Sequence, residues 1–442
     1  MPYKISHIAQ ILDVPTIPTD TEITELIIDS RKITYPAHSL FFALISDRRD
    51  GHDFIASAYQ AGVRAFVVSK PIDQTLFPDA VFLVVADTLT ALQQLAGYHR
   101  SQFSYPVIGI TGSNGKTTSK ELVHAVLATA YRTSTTVGNL NNHIGIPLTL
   151  LRIPLDAEMA VVEMGANHQR EIAGYCTYAQ PTHGIITNCG KAHLEGFGGV
   201  EGVRKGKGEL YDHLRAVDGT VFIMWDYDYL RSMSSGIPHC IKYGTHDADI
   251  EGNVVQAQPF IEVEMTNGAL LGSIRTQLVG DYNLPNVLMA VAVGQHFNVA
   301  PDKIRQAIES YTPSNSRSQL VMQGTNHIIL DAYNANPSSM RGAIENLMRL
   351  QADDKVLMLG AMAELGEESL EEHRQIVNLI RQHDWKAVVL VGGDFEKIDH
   401  PFVSLPDSLA ARDWYQAQAF DQCHILIKGS RSQQMERILQ TL

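Results

Sequence analysis

The run "TGSNGKTT", Thr111–Thr118, has the residue types and spacing of a phosphate cradle. Gly112 and Gly115 let the backbone turn its N–H groups toward an anion, with Ser113 and Asn114 between them. Lys116 has the reach for outer phosphates, and the Thr117 hydroxyl, beside Thr118, suits Mg²⁺. The general pattern G-x-x-x-x-G-K-[ST] begins with a glycine where this chain has Ile110, so the cradle is a shortened variant. Glu163 ends the apolar run in "AVVEMGANHQREI", where a carboxylate is placed to hold Mg²⁺, a hard ion that prefers oxygen. His193, in the glycine-rich "NCGKAHLEGFGG", lies on no apolar face, which points to a ligand or catalytic role. In "GVEGVRKGKGELYDHL", Val203, Leu210, Tyr211 and Leu214 form one helical stripe, and Lys207 falls on it. An inward lysine is costly as a cation, so it is paired, neutral, or snorkels its head to water. Lys205 points elsewhere, as a solvated lysine does.

These groups need elements to position them. Tyr105–Ile110 is short, apolar and β-branched, as a buried strand is. After the cradle, Leu122, Val123, Val126, Leu127 and Ala130 recur at helical spacing. Strand and helix rhythms alternate over most of the chain, which predicts an α/β protein with mostly parallel sheets. In such sheets ligands bind beyond the carboxyl ends of the strands, where Glu163 and His193 fall. Two polar, proline-bearing stretches, "SQFSYP" and "YTPSNSRSQ", divide the chain into three domains, 1–103, 104–312 and 313–442. The first alternates "LFFALI", "HDFIASAYQAG", "RAFVVS" and "VFLVVA". The last runs through "HIILDA", a helix from Ser338, "KVLMLGA", a helix near Glu368, "AVVLVGG", "HILIKGS" and a terminal helix.

Composition narrows the class. A length of 442 residues suggests about three domains, and 45% hydrophobic with 19% charged residues allows substantial cores. A net charge of −13 without a long basic run argues against nucleic acid as a partner. No signal-peptide core and no membrane span are expected from "MPYKISHIAQILDV" and the lengths of the apolar runs. The four scattered cysteines carry no C-x-x-C pair, as in a reducing cytoplasm. A cytoplasmic monomer is the expectation.

With those pieces identified, the chain resembles the Mur ligase family, ATP-dependent amide-bond-forming enzymes of bacterial cell-wall synthesis. "TGSNGKTT", "GNLNNHIGIPLTLL", "EMGANHQREI", "NCGKAHLEGFG", "KGKGELYDHL", "GDYNLPNVLMA", "DAYNANPSSM", "AMAELGEES" and "KGSRSQQME" occur in family order. The resemblance implies an N-terminal UDP-substrate domain, a central phosphate-loop ATPase domain and a Rossmann-like C-terminal domain that binds an incoming dipeptide. It implies the branch that joins D-alanyl-D-alanine to a UDP-N-acetylmuramoyl tripeptide, with ATP and two Mg²⁺ ions. By resemblance, Lys116 contacts the ATP phosphates, and Thr117, Glu163 and His193 bind metal. Lys207 becomes a carbamate built from CO₂, supplying a carboxylate to the second ion. Asn283 and Asn286 match the adenine-side motif, while Arg317 and Asp331 match residues that close on γ-phosphate and ribose. Ser30 and Arg31, in "DSRK", match the uridine signature. Asn139, Asn141 and Asn142 would line the muramyl side, and Asn334 and Asn336 the dipeptide. Two departures stand out. "ALISDRRDGHDF" lacks the usual Lys-Gly, and Ala361 stands where an acidic residue is common.

The implied chemistry converts a carboxylate into an acyl phosphate that an amine attacks. A ligase adding one L-amino acid would be expected to show an "AHTP"-like run where this chain has "DAYNANP". A phosphate-loop ATPase of another class would require neither an inward Lys207 nor a uridine domain.

Overall fold

The computed structural model describes residues 3–15, 20–269, 271–314 and 316–440. By internal contact the chain forms two compact units. The first comprises Met1–Gly109, Tyr131–Gly165 and Ala173–Thr182; the second comprises Ile110–Ala130, Ala166–Ile172 and His183–Leu442.

The first unit carries a four-stranded sheet in the order β1 (Glu25–Ile27), β2 (Ser39–Phe42), β3 (Ala65–Val68), β4 (Val81–Val84), parallel throughout. Its strands are short apolar runs, and Phe41, Phe66 and Phe82 pack with Ile27 and Ala58 into one core. "LFFALI" is not one strand. It ends at Phe42, and a separate short strand, Ile45–Ser46, follows. Helix α1 (Thr88–Ser101) is capped by Asp87, whose carboxylate accepts from Thr90 N–H at 2.7 Å. The stretch after it reaches Pro106 without regular structure. Strand β5 (Val107–Thr111) starts in this unit and runs into the second. Strands β6 (Thr133–Thr135) and β7 (Met159–Glu163) pair in parallel.

In the second unit, α2 (Lys116–Leu127) follows the cradle and buries Leu122, Val123, Val126 and Leu127. Ala130 was expected on that face, but the helix ends first and Ala130 is exposed. Strand β8 (His183–Ile186) precedes α3 (Val200–Ala216). Strands β9 (Thr220–Met224), β10 (His239–Gly244) and β11 (Ile250–Gln256) continue the parallel run. Strands β12 (Glu262–Asn267) and β13 (Ser273–Arg275) then return antiparallel. The alternating "EVEMTN" has an exposed face, which an antiparallel ribbon tolerates and a doubly covered parallel strand does not. Helix α4 (Leu284–His296) is buried along nearly its whole length.

The C-terminal sheet has six strands, in the order β14 (Gln319–Gln323), β15 (Asn326–Asp331), β19 (His424–Lys428), β16 (Lys355–Gly360), β17 (Ala387–Val391), β18 (Val403–Leu405). The first pair is antiparallel and the rest are parallel. Ile328, Val356, Met358, Val389, Ile425 and Ile427 form its core. Helices α5 (Pro337–Arg349) and α6 (Ser369–Ile380) flank the central strands in sequence. The expected terminal helix is instead two 3₁₀ turns, Arg431–Gln433 and Met435–Leu439, broken at Gln434, where φ is +50°. Of the stretch Tyr311–Gln319, Asn315 lies outside the described residues. No helix among the described residues is long and apolar enough to cross a membrane.

Candidate active site

The cradle owes its shape to two glycines. Gly112 has φ +144°, and a Cβ there would lie 1.9 Å from Thr187 Oγ1; Gly115 has φ +79° and would meet Asn286 Oδ1 at 2.9 Å. The loop is laced to the segment after β8. Ser113 N–H donates to Asn188 O at 2.9 Å, and Ser113 Oγ donates to Gly190 O at 2.9 Å. Asn114 N–H donates to Asn188 Oδ1 at 3.0 Å, and Thr187 Oγ1 donates to Asn114 O at 2.6 Å. Lys116 Nζ rests on its own loop, donating to Gly112 O at 2.6 Å and Ser113 O at 3.3 Å. Thr117 is buried and Thr118 half-buried on the first turn of α2, the positive end of a helix dipole, which favours an anion.

Asn283 and Asn286 are buried and bonded to each other. Asn283 Nδ2 donates to Val279 O at 2.9 Å, Asn286 Nδ2 to Asn283 Oδ1 at 2.8 Å, and Ser119 Oγ to Asn286 Oδ1 at 3.0 Å. This chain of bonds holds α4 against α2 beside the cradle.

Lys207 is 1% exposed, so snorkelling is overturned: its head does not reach water. Nζ donates to Ala166 O at 3.0 Å and stands 4.9 Å over the Phe197 ring. Burial, reinforced by the charge of Lys116, pulls its pKa down to about 7. Lys205 is exposed, as expected. His193 is half-buried with a left-handed φ of +53°, and its Nδ1 lies 2.5 Å from Glu364 Oε2. The His193 contact holds the Glu364 carboxyl below its ordinary range. Among the described residues no three His, Cys, Asp or Glu side chains gather as a metal-holding group.

The C-terminal part of the second unit reaches the cradle. Asn336 caps α5, accepting from Ser339 N–H at 3.0 Å, while its Nδ2 donates to Asn114 Oδ1 at 2.7 Å. Lys191 N–H donates to Ser338 Oγ at 3.1 Å, and Lys191 Nζ pairs with the buried Glu372 at 2.5 Å. Asn334 Oδ1 accepts from Ala335 N–H at 2.9 Å. The Arg317 guanidinium lies 3.6 Å over the Tyr333 ring. Asp331 accepts from Ser318 N–H at 3.0 Å and pairs with Lys428 at 2.5 Å. Ala361 is buried, and Gly393 packs so close that a Cβ there would stand 2.5 Å from the Ala361 methyl.

In the first unit, Glu163 is 1% exposed at the end of β7, and its Oε1 accepts from Asn141 Nδ2 at 2.7 Å. Asn142 Oδ1 accepts from Gly145 N–H at 2.8 Å at the start of a short helix, and Asn139 is exposed. Arg31 grips Asp29 with two bonds of 2.8 Å, holding that carboxyl far below its ordinary range; Ser30 between them is half-buried. The residue readings missed Thr187, Asn188, Lys191, Glu364, Glu372 and Lys428. All lie in or beside the quoted motifs, but nothing in their local spacing marks a partner so distant in sequence.

Residues 110–294 match the Mur ligase middle domain, residues 316–431 the Mur ligase glutamate ligase domain, and residues 22–100 the Mur ligase family catalytic domain. The UDP-N-acetylmuramoyl-tripeptide–D-alanyl-D-alanine ligase of Bacillus subtilis is 34% identical, over 94% of this chain and 92% of that one. The Escherichia coli protein of the same name is 32% identical, over 99% and 98%. The crystal structure of MurF from Acinetobacter baumannii superposes with a TM-score of 0.89 at 30% identity, covering 99% of this chain and 98% of that one. MurF ligase from Thermotoga maritima, solved in complex with ADP, gives 0.83 at 26% identity, covering 94% and 96%.

Proposed function

The chain belongs to the Mur ligase family, and from that premise we propose that it joins D-alanyl-D-alanine to a UDP-N-acetylmuramoyl tripeptide at the expense of ATP. It is an ATP-dependent amide-bond-forming ligase of peptidoglycan precursor synthesis. We place it in the cytoplasm as a monomer, with the domain division 1–103, 104–312 and 313–442. The observation that carries the reading is the 2.7 Å bond from Asn336, in "DAYNANP", to Asn114 of the phosphate cradle. It sets the acceptor-side loop against the loop that would hold ATP.

In the proposed reaction the tripeptide's terminal carboxylate takes the γ-phosphoryl group of ATP, giving an acyl phosphate and ADP. The dipeptide amine attacks the acyl carbon, the C–O bond to phosphate breaks, and the amine loses a proton. Lys116 would leave the carbonyls of Gly112 and Ser113 to offset charge on the outer phosphates. Asn283 and Asn286 would keep the adenine side firm, and Arg317 and Asp331 would meet γ-phosphate and ribose. Ser30 and Arg31 are proposed for uridine, and Asn139, Asn141 and Asn142 for the muramyl side. Asn334 and Asn336 are proposed for the dipeptide.

The buried Thr117 hydroxyl and the buried Glu163 carboxylate are oxygen donors of the kind Mg²⁺ takes, so each fits as a ligand. Lys207 fits as a third once carbamylated: burial favours a neutral amine, the form that adds CO₂. His193 is proposed with them, although nitrogen suits Mg²⁺ less well. When bound, Mg²⁺ supplies counter-charge to the phosphates.

The test is phosphate release with UDP-muramoyl tripeptide, offering D-alanyl-D-alanine, D-alanine, L-lysine, diaminopimelate or L-glutamate. A site built to bond a dipeptide should reject single amino acids by roughly 10⁴-fold. Preference for any one of them would overturn the acceptor. ATP turnover indifferent to acceptor would point to another class of ATPase.

A further inference from the structure

The geometry points to Lys428 as a positioning residue that ties the nucleotide side of the site to the acceptor side. This rests on the ligase reading above for the roles of Asp331 and Asn334. Lys428 ends β19, and Asp331 ends the neighbouring parallel strand β15, directly opposite in register. Ligands of such sheets bind beyond those carboxyl ends. The Lys428 side chain is 2% exposed, and a lysine so deep needs its charge met. Nζ meets it with Asp331 Oδ2 at 2.5 Å and donates also to the backbone oxygen of Asn334 at 3.2 Å. One ammonium therefore holds both the carboxylate proposed for nucleotide and the loop proposed for the dipeptide.

The pairing reaches further along the chain. Asp331 Oδ1 accepts from Ser318 N–H at 3.0 Å, and Tyr333 N–H donates to Ser316 O at 3.2 Å. These bonds pin the segment carrying Arg317 where its guanidinium covers Tyr333. Tyr282, next to Asn283, bonds Ser318 Oγ at 3.0 Å, which joins the same segment to the start of α4. A carboxylate set near a nucleotide's phosphates is repelled unless a cation stands behind it. Lys428 is that cation, and a neutral donor in its place would fill the hydrogen bonds without cancelling the charge.

The experiment compares wild type, Lys428→Met, Lys428→Gln and Lys428→Arg. It reads ADP affinity by calorimetry, KM for ATP, D-alanyl-D-alanine and UDP-tripeptide, and thermal midpoints. Loss of a buried charged bond should weaken ADP and raise KM for both ATP and the dipeptide by about tenfold in the Met and Gln variants. KM for the UDP-tripeptide should stay within about twofold of wild type. Arg, which keeps the charge, should recover most of the nucleotide affinity. Unchanged constants with a lower thermal midpoint, or failure of both neutral variants to fold, would make Lys428 an element of the fold alone and overturn the proposal. If wild type shows no dipeptide-dependent turnover, the ligase reading fails, while ADP affinity still reports whether Lys428 supports the nucleotide side.

Discussion

Lys207 sits where a cation is poorly solvated, with a backbone carbonyl and an aromatic face as its neighbours. Its depressed pKa, about 7, leaves much of the amine neutral near neutral pH, ready to add CO₂. Replacing it with alanine should cut turnover by roughly 10²-fold or more, with partial rescue by a short carboxylic acid that restores the oxygens. Lys205→Ala, on the exposed side of the same helix, should leave turnover within about twofold. Full activity in the Lys207→Ala enzyme would remove the proposed carbamate from the mechanism. The helical stripe was enough to single out Lys207, because a period of 3.6 residues sets the inner face. It could not supply Ala166 or Lys116, which come from other segments.

At the scale of elements, the N-terminus of α5 joins two jobs in one side chain. Asn336 accepts a bond as helix cap and donates one to Asn114. Asn336→Asp keeps the acceptor and suits the helix dipole, yet it sets a carboxylate against Asn114 Oδ1. That variant should melt near wild type while raising KM for ATP about tenfold. Asn336→Ala should lose about 1 kcal/mol of stability as well. Wild-type ATP constants in the aspartate variant would show that the contact does not shape the cradle. Most strands and helices were legible in their apolar periodicity. The misses were at ends: "LFFALI" breaks at Phe42, Ala130 lies past its helix, and the terminal helix is two 3₁₀ turns. Those boundaries depend on local caps and on what packs alongside, which a period does not encode.

At the scale of the whole molecule, several histidines are held neutral by burial. His99, His183, His296, His373 and His424 all have pKa values pushed below the ordinary 6.5, His183 to about 4 with His296 Nε2 at 3.2 Å from its own. As pH falls through 6.5 the unfolded chain binds protons first, so stability that is full above 6.5 is lost progressively toward the folded values. Depressed carboxylates such as Asp29 and Asp79 act only lower, near and below their ordinary 3.8. Urea midpoints should therefore fall between pH 6.5 and 4.5, and His183→Gln should flatten that slope. A midpoint constant across this window would mean that these groups titrate alike in both states.

The sequence by itself determined the phosphate cradle, the α/β rhythm, the family and the inward face that carries Lys207. Each is written in neighbouring residues, through glycine conformation, apolar period or motif order. Only the tertiary structure decided what those residues touch. It set Asn336 on Asn114, Glu364 beside His193, and Lys428 behind Asp331. Such pairs are separated by roughly a hundred residues or more, and which of many polar side chains meet depends on strand register and helix packing. Adjacent parallel strands brought Lys428 to Asp331, though the chain between them passes through three other strands of the sheet.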